Sequence, residues 1–203
     1  MEKVCEYCGE KFVPAKGTNK LTVRFCSPAH GHKKTWGPIV DGDVAQVPLF
    51  GRGAPFAIVD SVDLPLIRKH TWRSFSNGRT MYAVAYIGGK RVLMHRLILG
   101  TPVGMSTDHI DGDGLNNRRS NLRACTQKEN LWNMGSKGNA SGYKGVFARG
   151  SKWQVKIRVG EKHAICVGTF SDKLIAALAY NIMAYRKHGE FARFNKLVKG
   201  EVA

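Results

Sequence analysis

The segment ending Asp108-His109 and running on through Asn121 to Asn130 constrains this chain most. It reads Thr107-Asp-His-Ile-Asp-Gly-Asp-Gly-Leu-Asn-Asn-Arg-Arg-Ser-Asn-Leu-Arg-Ala-Cys-Thr-Gln-Lys-Glu-Asn130. Met105 to His109 is short and can end a strand. Asp111-Gly112-Asp113-Gly114 and Asn116-Asn117 are turn chemistry, since Gly, Asp and Asn tolerate the backbone angles of a tight loop. Leu122 to Cys125 can return as a second strand. Thr126-Gln-Lys-Glu129 is a capping box, in which the Thr126 hydroxyl and the Glu129 carboxylate each satisfy the other's backbone N–H. A helix is therefore predicted from Thr126, with Asn130 one turn in. The expected order is strand, loop, strand, helix, with His109 on the strand facing Asn130 on the helix.

Residue type then sets the chemistry. Asp108 and Asn130 offer oxygens that suit Mg²⁺ or a similar hard ion, which takes few protein carboxylates and keeps several waters. An ion held there can polarise a phosphate oxygen and stabilise a leaving 3′ oxygen. His109 has the right ordinary pKa to take a proton from an attacking water. Asn121 can hold the His109 ring in its working orientation. A calcium loop starting at Asp111 fails, because its sixth position is Asn116 instead of Gly and its twelfth is Leu122 instead of Glu. Asn116 and Asn117 read as turn residues. Arg118, Arg119 and Arg123 either touch phosphate or are solvated.

These residues resemble the HNH endonuclease family, and within it the phage and intron-encoded homing endonucleases. The resemblance implies that Asp108 and Asn130 bind the metal, that His109 is the general base and that Asn121 orients it. The last motif letter is Asn here, a variant of the homing branch. Such enzymes carry a segment ahead of the core that ends in a His-Arg-Leu-Ile element, here His95 to Ile98. His95 is either a packing residue or a phosphate contact.

Charge agrees with a nucleic-acid partner. The 203 residues carry a formal net charge of +17, an electrostatic footprint for DNA. Residues 138–203 hold 12 Lys and Arg against 4 Asp and Glu, whereas residues 101–137 hold 5 against 4. Affinity is thus expected from the flanks and cleavage from the middle. No stretch is apolar enough to span a bilayer and no signal peptide is visible, so no membrane partner is expected. The expected location is the cytoplasm of a bacterial or phage-infected cell, and the Asn139-Ala-Ser141 sequon carries no glycan there.

Cysteine spacing suggests a second metal. Cys5-Glu-Tyr-Cys8 and Cys26-Ser-Pro-Ala-His30 are separated by 17 residues. Three thiolates and one imidazole suit a tetrahedral Zn²⁺, with His32 as a substitute for His30. The segment resembles small treble-clef-like zinc fingers. Cys125 and Cys166 read as small buried hydrophobes in strands.

Residues 45–100 read as strand-rich, with β-prone runs at Val47–Phe50, Phe56–Val59, Tyr82–Tyr86 and Arg91–Met94, and a turn at Gly88-Gly89. Asp63 to Trp72 reads as a short helix. Beyond a Gly/Ser/Asn-rich joint at 135–142, Lys152 to Val159 alternates: Trp153, Val155, Ile157 and Val159 share one face, and Gln154, Lys156 and Arg158 the other. A third strand spans His163 to Thr169. Ser171 is predicted to cap a helix through His188 that Gly189 ends, with Leu174, Ile175, Leu178, Ala179 and Ile182 as its apolar stripe.

This last region resembles the ethylene-response-factor (Apetala-type) DNA-binding domain, through Lys144-Gly-Val146, Trp153 to Arg158, Gly168-Thr-Phe170, Ala176-Ala177 with Tyr180, and Phe194-Asn195. The resemblance implies that Lys144, Arg149, Lys156 and Arg158 read DNA in the major groove; one aromatic contact of that family is Cys166 here.

The expected architecture is α+β in several modules. A zinc knuckle spans 1–36, and a β-rich segment with the ββα-metal core spans 45–136. A three-stranded antiparallel sheet packed on one helix spans 138–197. The expected activity is metal-dependent, site-specific cleavage of double-stranded DNA, one strand per site. A double-strand break then needs a dimer or two events, and the chain itself is either monomer or dimer. The alternative is a DNA-binding regulator with a vestigial motif.

Overall fold

A computed structural model describes residues 2–4, 11–14, 38–50, 55–136, 138–160 and 163–197. Cys5, Cys8, Cys26, His30 and His32, and so the expected zinc knuckle, lie outside them. Two short strands near the start, β1 (Lys3–Val4) and β2 (Lys11–Phe12), pair antiparallel. No described helix is long and apolar enough to cross a membrane.

The chain divides into two compact units, Met1–Thr101 with Asp113–Arg123, and Pro102–Gly112 with Ala124–Ala203. The first holds two antiparallel three-stranded meanders. Strands β3 (Ile39–Asp41), β4 (Val44–Pro48) and β5 (Phe56–Asp60) make one. A 3₁₀ turn at Ser61–Asp63 and the short helix α1 (Leu64–Ile67) follow, inside the predicted 63–72 helix but shorter. Strands β6 (Arg73–Ser76), β7 (Met81–Ile87) and β8 (Lys90–Leu93) make the other. Gly88 and Gly89 both have positive φ (56° and 75°), as a two-residue hairpin turn with the twist of its strands requires. Helix α2 (Met94–Leu99) then ends at Gly100 in the left-handed region.

Alternation along β4 and β5 sends Ala45, Val47, Ala57 and Val59 inward, where they meet Leu64, Ile67, Trp72, Ala83, Ala85, Met94 and Ile98. The Trp72 indole N–H donates to the Ile67 carbonyl at 2.9 Å, so the largest core side chain leaves no polar atom unpaired. His95 is buried, in T-shaped contact with Tyr82 at 5.5 Å between ring centroids.

The second unit contains β9 (Ser106–His109), the end of β10 (Leu122–Cys125), α3 (Gln127–Asn133), β11 (Val146–Arg149), β12 (Lys152–Arg158), β13 (Ala164–Phe170) and α4 (Lys173–His188). Strands β9 and β10 form a two-stranded sheet, and β11–β12–β13 an antiparallel three-stranded one. Helix α4 packs on that sheet over Val146, Val155, Ile157, Ala176, Ala177, Tyr180 and Ala184. The predicted alternation holds: Val155 and Ile157 are buried, while Lys156 and Arg158 are exposed.

Three expectations for this unit are corrected. The cap of α4 is Asp172, whose carboxylate accepts from the Ile175 N–H at 2.8 Å, and not Ser171. The buried face of α4 is the Ala176, Ala177, Tyr180 and Ala184 stripe, while Ile175, Leu178 and Ile182 are exposed. Alanines let the helix lie close on the sheet, and Tyr180 fills the space that Gly145 leaves: a Cβ on Gly145 would run into the Tyr180 ring. Cys125 is fully buried as expected, but Cys166 is exposed on the outer side of β13, opposite Lys156, with its Sγ 3.6 Å from Gln154 Nε2.

Candidate active site

The loop ahead of β10 is fixed inside the first unit. The Ile58 N–H donates to the Leu115 carbonyl (2.8 Å) and the Asn117 N–H to the Ile58 carbonyl (2.7 Å), a parallel bridge on β5. Asp60 accepts from Arg118 Nε at 2.8 Å and from the Arg119 N–H at 2.7 Å. Arg119 forks onto the buried Asp63 at 2.7 and 3.0 Å, and the Asp63 hydrogen bond raises its pKa. Neither arginine is thus simply solvated, and both charges are matched by carboxylates. Asn117 is fully buried and donates to the Leu115 carbonyl, the structural role expected of it. Asn121, at the end of a 3₁₀ turn over Arg119–Asn121, is buried, and its Nδ2 donates to the Asn116 carbonyl at 2.8 Å.

In the second unit, β9 presents Thr107, Asp108 and His109 as a buried run, although two of the three are ionisable. Helix α3 packs against β9. Its capping box is complete: Thr126 Oγ1 accepts from the Glu129 N–H at 3.2 Å, and Glu129 accepts from the Thr126 N–H at 2.8 Å. The cap fixes where the helix starts, and hence which residues face the strand.

The side chain of α3 that reaches Asp108 is Asn133, a residue the sequence reading did not single out. Its Nδ2 is 3.0 Å from each Asp108 carboxylate oxygen and 2.7 Å from the His109 carbonyl. All these partners are acceptors, so the amide nitrogen is the atom turned to them. Asn133 therefore braces the carboxylate rather than sharing an ion with it. Asn130 is half-buried one turn earlier on the same side of α3, since residues three apart are neighbours on a helix. That same spacing is the signal that could have found Asn133.

Among the described residues, no three His, Cys, Asp or Glu side chains converge as a metal cage. A buried carboxylate beside an amide suits Mg²⁺, which draws its other ligands from water and substrate phosphate.

The expected DNA-reading residues separate into two groups. Arg149, Lys156 and Arg158 are exposed on β11 and β12. Lys144 is not on that face: it is half-buried, and its ammonium donates to the Trp132 carbonyl of α3. Burial, and then Arg193 and Arg158, draw its pKa down to about 8. The Trp132 ring stacks on His188 at 4.4 Å and 13°, and His188 Nε2 lies 2.6 Å from the Arg158 carbonyl. Arg123 is half-buried.

Asn139 and Ser141, near the end of the joint, form a polar staple. Asn139 Nδ2 donates to the carbonyls of Tyr143 (2.9 Å) and Val146 (2.8 Å), and Ser141 Oγ also donates to Val146 at 2.8 Å. The apparent sequon is thus a turn-forming element that ties the joint to β11.

Comparison with known proteins adds the lineage. The family model for the HNH endonuclease matches residues 92–131. An uncharacterized HNH endonuclease, L560, of Acanthamoeba polyphaga mimivirus is 32% identical over 185 residues, covering 88% of this chain and 94% of the relative. Protein 3.8 of Escherichia phage T7 is 38% identical over 98 residues, 46% of this chain and 78% of the relative. No solved structure matches the chain. The buried Asp108-His109 pair, the capped helix beside it and a viral relative matched along almost its whole length lead to one conclusion: the chain belongs to the HNH endonuclease family.

Proposed function

We propose that this protein is a divalent-metal-dependent, site-specific endonuclease of double-stranded DNA that nicks one strand per active site. The observation that carries the reading is the buried Asp108 carboxylate, adjacent to His109 on β9 and braced by Asn133 of α3. A buried carboxylate next to a histidine in sequence supplies an oxygen ligand and a base side by side, which supports use in hydrolysis.

Asp108 and Asn130 would hold the cation, which supplies Lewis-acid polarisation of the phosphate and of the leaving 3′ oxygen. His109 removes a proton from water as the water oxygen attacks phosphorus. The bond from phosphorus to the 3′ oxygen breaks, and that oxygen takes a proton from solvent water, leaving a 5′ phosphate and a 3′ hydroxyl. The family resemblance gives Asn121 the task of orienting the ring. Arg149, Lys156 and Arg158, displayed together on the outer side of the sheet, support the ethylene-response-factor-like reading of the C-terminal region as the DNA reader. The homing-type assignment rests on that reader and on the motif. The spacing of Cys5, Cys8, Cys26 and His30 supports a structural Zn²⁺.

The test is nicking of supercoiled plasmid in Mg²⁺. Wild type should give relaxed circles, and His109→Ala should lose on the order of 10²- to 10⁴-fold in rate, the span general-base catalysis commonly supplies. Equal cutting by both would remove His109 from the mechanism. DNA binding without cutting of any genomic-library fragment would favour the regulator.

A further inference from the structure

Building on the nuclease reading, we propose that Arg193, in the tail after α4, is a positioning residue for His109. It acts by clamping the turn through which the chain leaves β9. Arg193 Nη1 donates to the Asp111 carbonyl at 2.6 Å and lies 3.4 Å from the Ile110 carbonyl. Further fastenings of this turn come from Asn133, on the carbonyls of His109 (2.7 Å) and Ile110 (3.3 Å), and from the Gly112 N–H, on the His109 carbonyl at 2.9 Å. Three successive carbonyls after the catalytic strand are thus each held by a donor, and Arg193 holds the outermost.

The fit is close on the far side as well. Gly112 has φ +81°, and a Cβ built on it would stand 3.1 Å from Arg193 Nη1. Glycine therefore serves both the turn and the approach of the guanidinium. The tail that carries Arg193 is itself fixed. The Asn195 side chain accepts from the Lys144 N–H at 2.7 Å and donates to the Lys144 carbonyl at 3.1 Å. The Asn195 backbone exchanges two more bonds with the Asn181 side chain, at 2.7 and 2.9 Å. A clamp anchored two residues away on the C-terminal sheet and helix can hold His109 to the tolerance that near-attack geometry demands.

Arg193→Ala in the full chain tests this against wild type and Arg193→Lys, with three readouts. The single-turnover nicking rate on supercoiled plasmid in Mg²⁺ should fall on the order of 10- to 100-fold, the scale of a misplaced catalytic group. The Kd for the same plasmid in Ca²⁺ should change by less than about threefold, since the fork binds carbonyls rather than phosphate. Hydrogen exchange at the Gly112 amide should speed up while Val155 and Ile157 stay protected. Lysine should restore part of the rate, because an ammonium can still donate to the Asp111 carbonyl. An unchanged rate, a Kd that weakens in step with the rate, or unchanged Gly112 exchange each overturns the proposal. If Arg193→Ala does not fold, Arg193→Met keeps the length of the side chain without its donors and carries the same expectations. A wild type that binds but never nicks brings down the nuclease reading and the positioning role with it. Gly112 exchange then shows whether the clamp exists as a purely structural contact.

Discussion

The two compact units hold their turns by opposite means. In the first, arginines are fastened to carboxylates, Arg118 to Asp60 and Arg119 to Asp63, over a core of Trp72, Ile67, Met94 and branched aliphatics. In the second, Asn133, Asn139, Ser141, Asn181 and Asn195 make neutral cross-links over a core rich in alanine. The difference follows from charge. A carboxylate beside an arginine cancels a cation that DNA would otherwise meet, and amides tie the chain without doing so. Residues 138–203, with only 4 acidic side chains among them, use amides and, at Arg193, a guanidinium set on carbonyls instead of on a carboxylate. The arginines inside the motif, Arg118 and Arg119, are spent on internal pairs.

The largest expected effects separate the two asparagines of α3. Asn130→Ala and Asn133→Ala should each lower plasmid nicking about 100-fold or more, as loss of a metal ligand or its support does. Only Asn133→Ala should also lower the melting temperature. It takes away a donor shared by the buried Asp108 carboxylate and the His109 carbonyl, at a cost of about 1–3 kcal/mol. Equal melting temperatures for the two variants would contradict the bracing role. Core substitutions come next. Trp72→Ala should cost about 3–5 kcal/mol, the range for a fully buried aromatic. In the alanine-cored unit the sensitive direction is the reverse. Ala177→Leu overfills the helix–sheet contact at about 1–3 kcal/mol, while Leu178→Ala, on the exposed side, should stay within about 0.5 kcal/mol. Chemical denaturation of the three variants checks that ordering.

The locally encoded features were legible in the sequence. The capping box starts α3 where Thr126 and Glu129 say it should, the Gly88-Gly89 turn joins β7 to β8, and the alternation from Trp153 to Val159 sorts into an inner and an outer face. Each rests on contacts a few residues apart. What was not legible depends on partners far along the chain. Hydropathy ranks Leu178 and Ile182 above Ala176 and Ala177, yet the sheet selects the small residues because they allow close approach. Lys144 carries the residue type of a groove contact, but Trp132 captures its ammonium. Asn133 became visible once β9 and α3 were placed together, and nothing local marks Arg193 as the partner of a turn 82 residues earlier. Asp108, His109 and Asn130 could be grouped from the sequence because a spacing pattern carries them; Asn133 and Arg193 could not.

Salt dependence of DNA binding probes the charge argument more gently. Lys156→Ala and Arg158→Ala should each weaken binding and reduce the slope of log K against log salt by about one, the signature of one lost phosphate contact. Arg119→Ala should leave the slope unchanged, because Asp63 already neutralises that guanidinium. A slope that falls for Arg119→Ala as well would mean that ion pairing in the first unit does not withhold its arginines from DNA.

The smallest effect concerns His188, where the neutral cross-linking of the second unit meets a titratable group. Its pKa is lowered chiefly by burial, against a raising contribution from the Arg158 carbonyl and with further lowering by Lys144 and Lys128. Between the folded-state pKa and the ordinary 6.5, the unfolded chain binds more protons than the folded one, so stability rises with pH across that window. It is fully present above 6.5 and is lost as pH falls below it. Protonation adds a positive charge beside those of Lys144, Lys128 and Arg158, at the ring that stacks on Trp132. His188→Phe keeps an aromatic surface for Trp132 and removes the proton. Its melting temperature should lie below that of wild type at pH 7.5, because the bond to the Arg158 carbonyl is gone, and the gap should narrow toward pH 5.5. A gap that widens on acidification would mean that the folded state favours the imidazolium, and that a charge is tolerated at this junction after all.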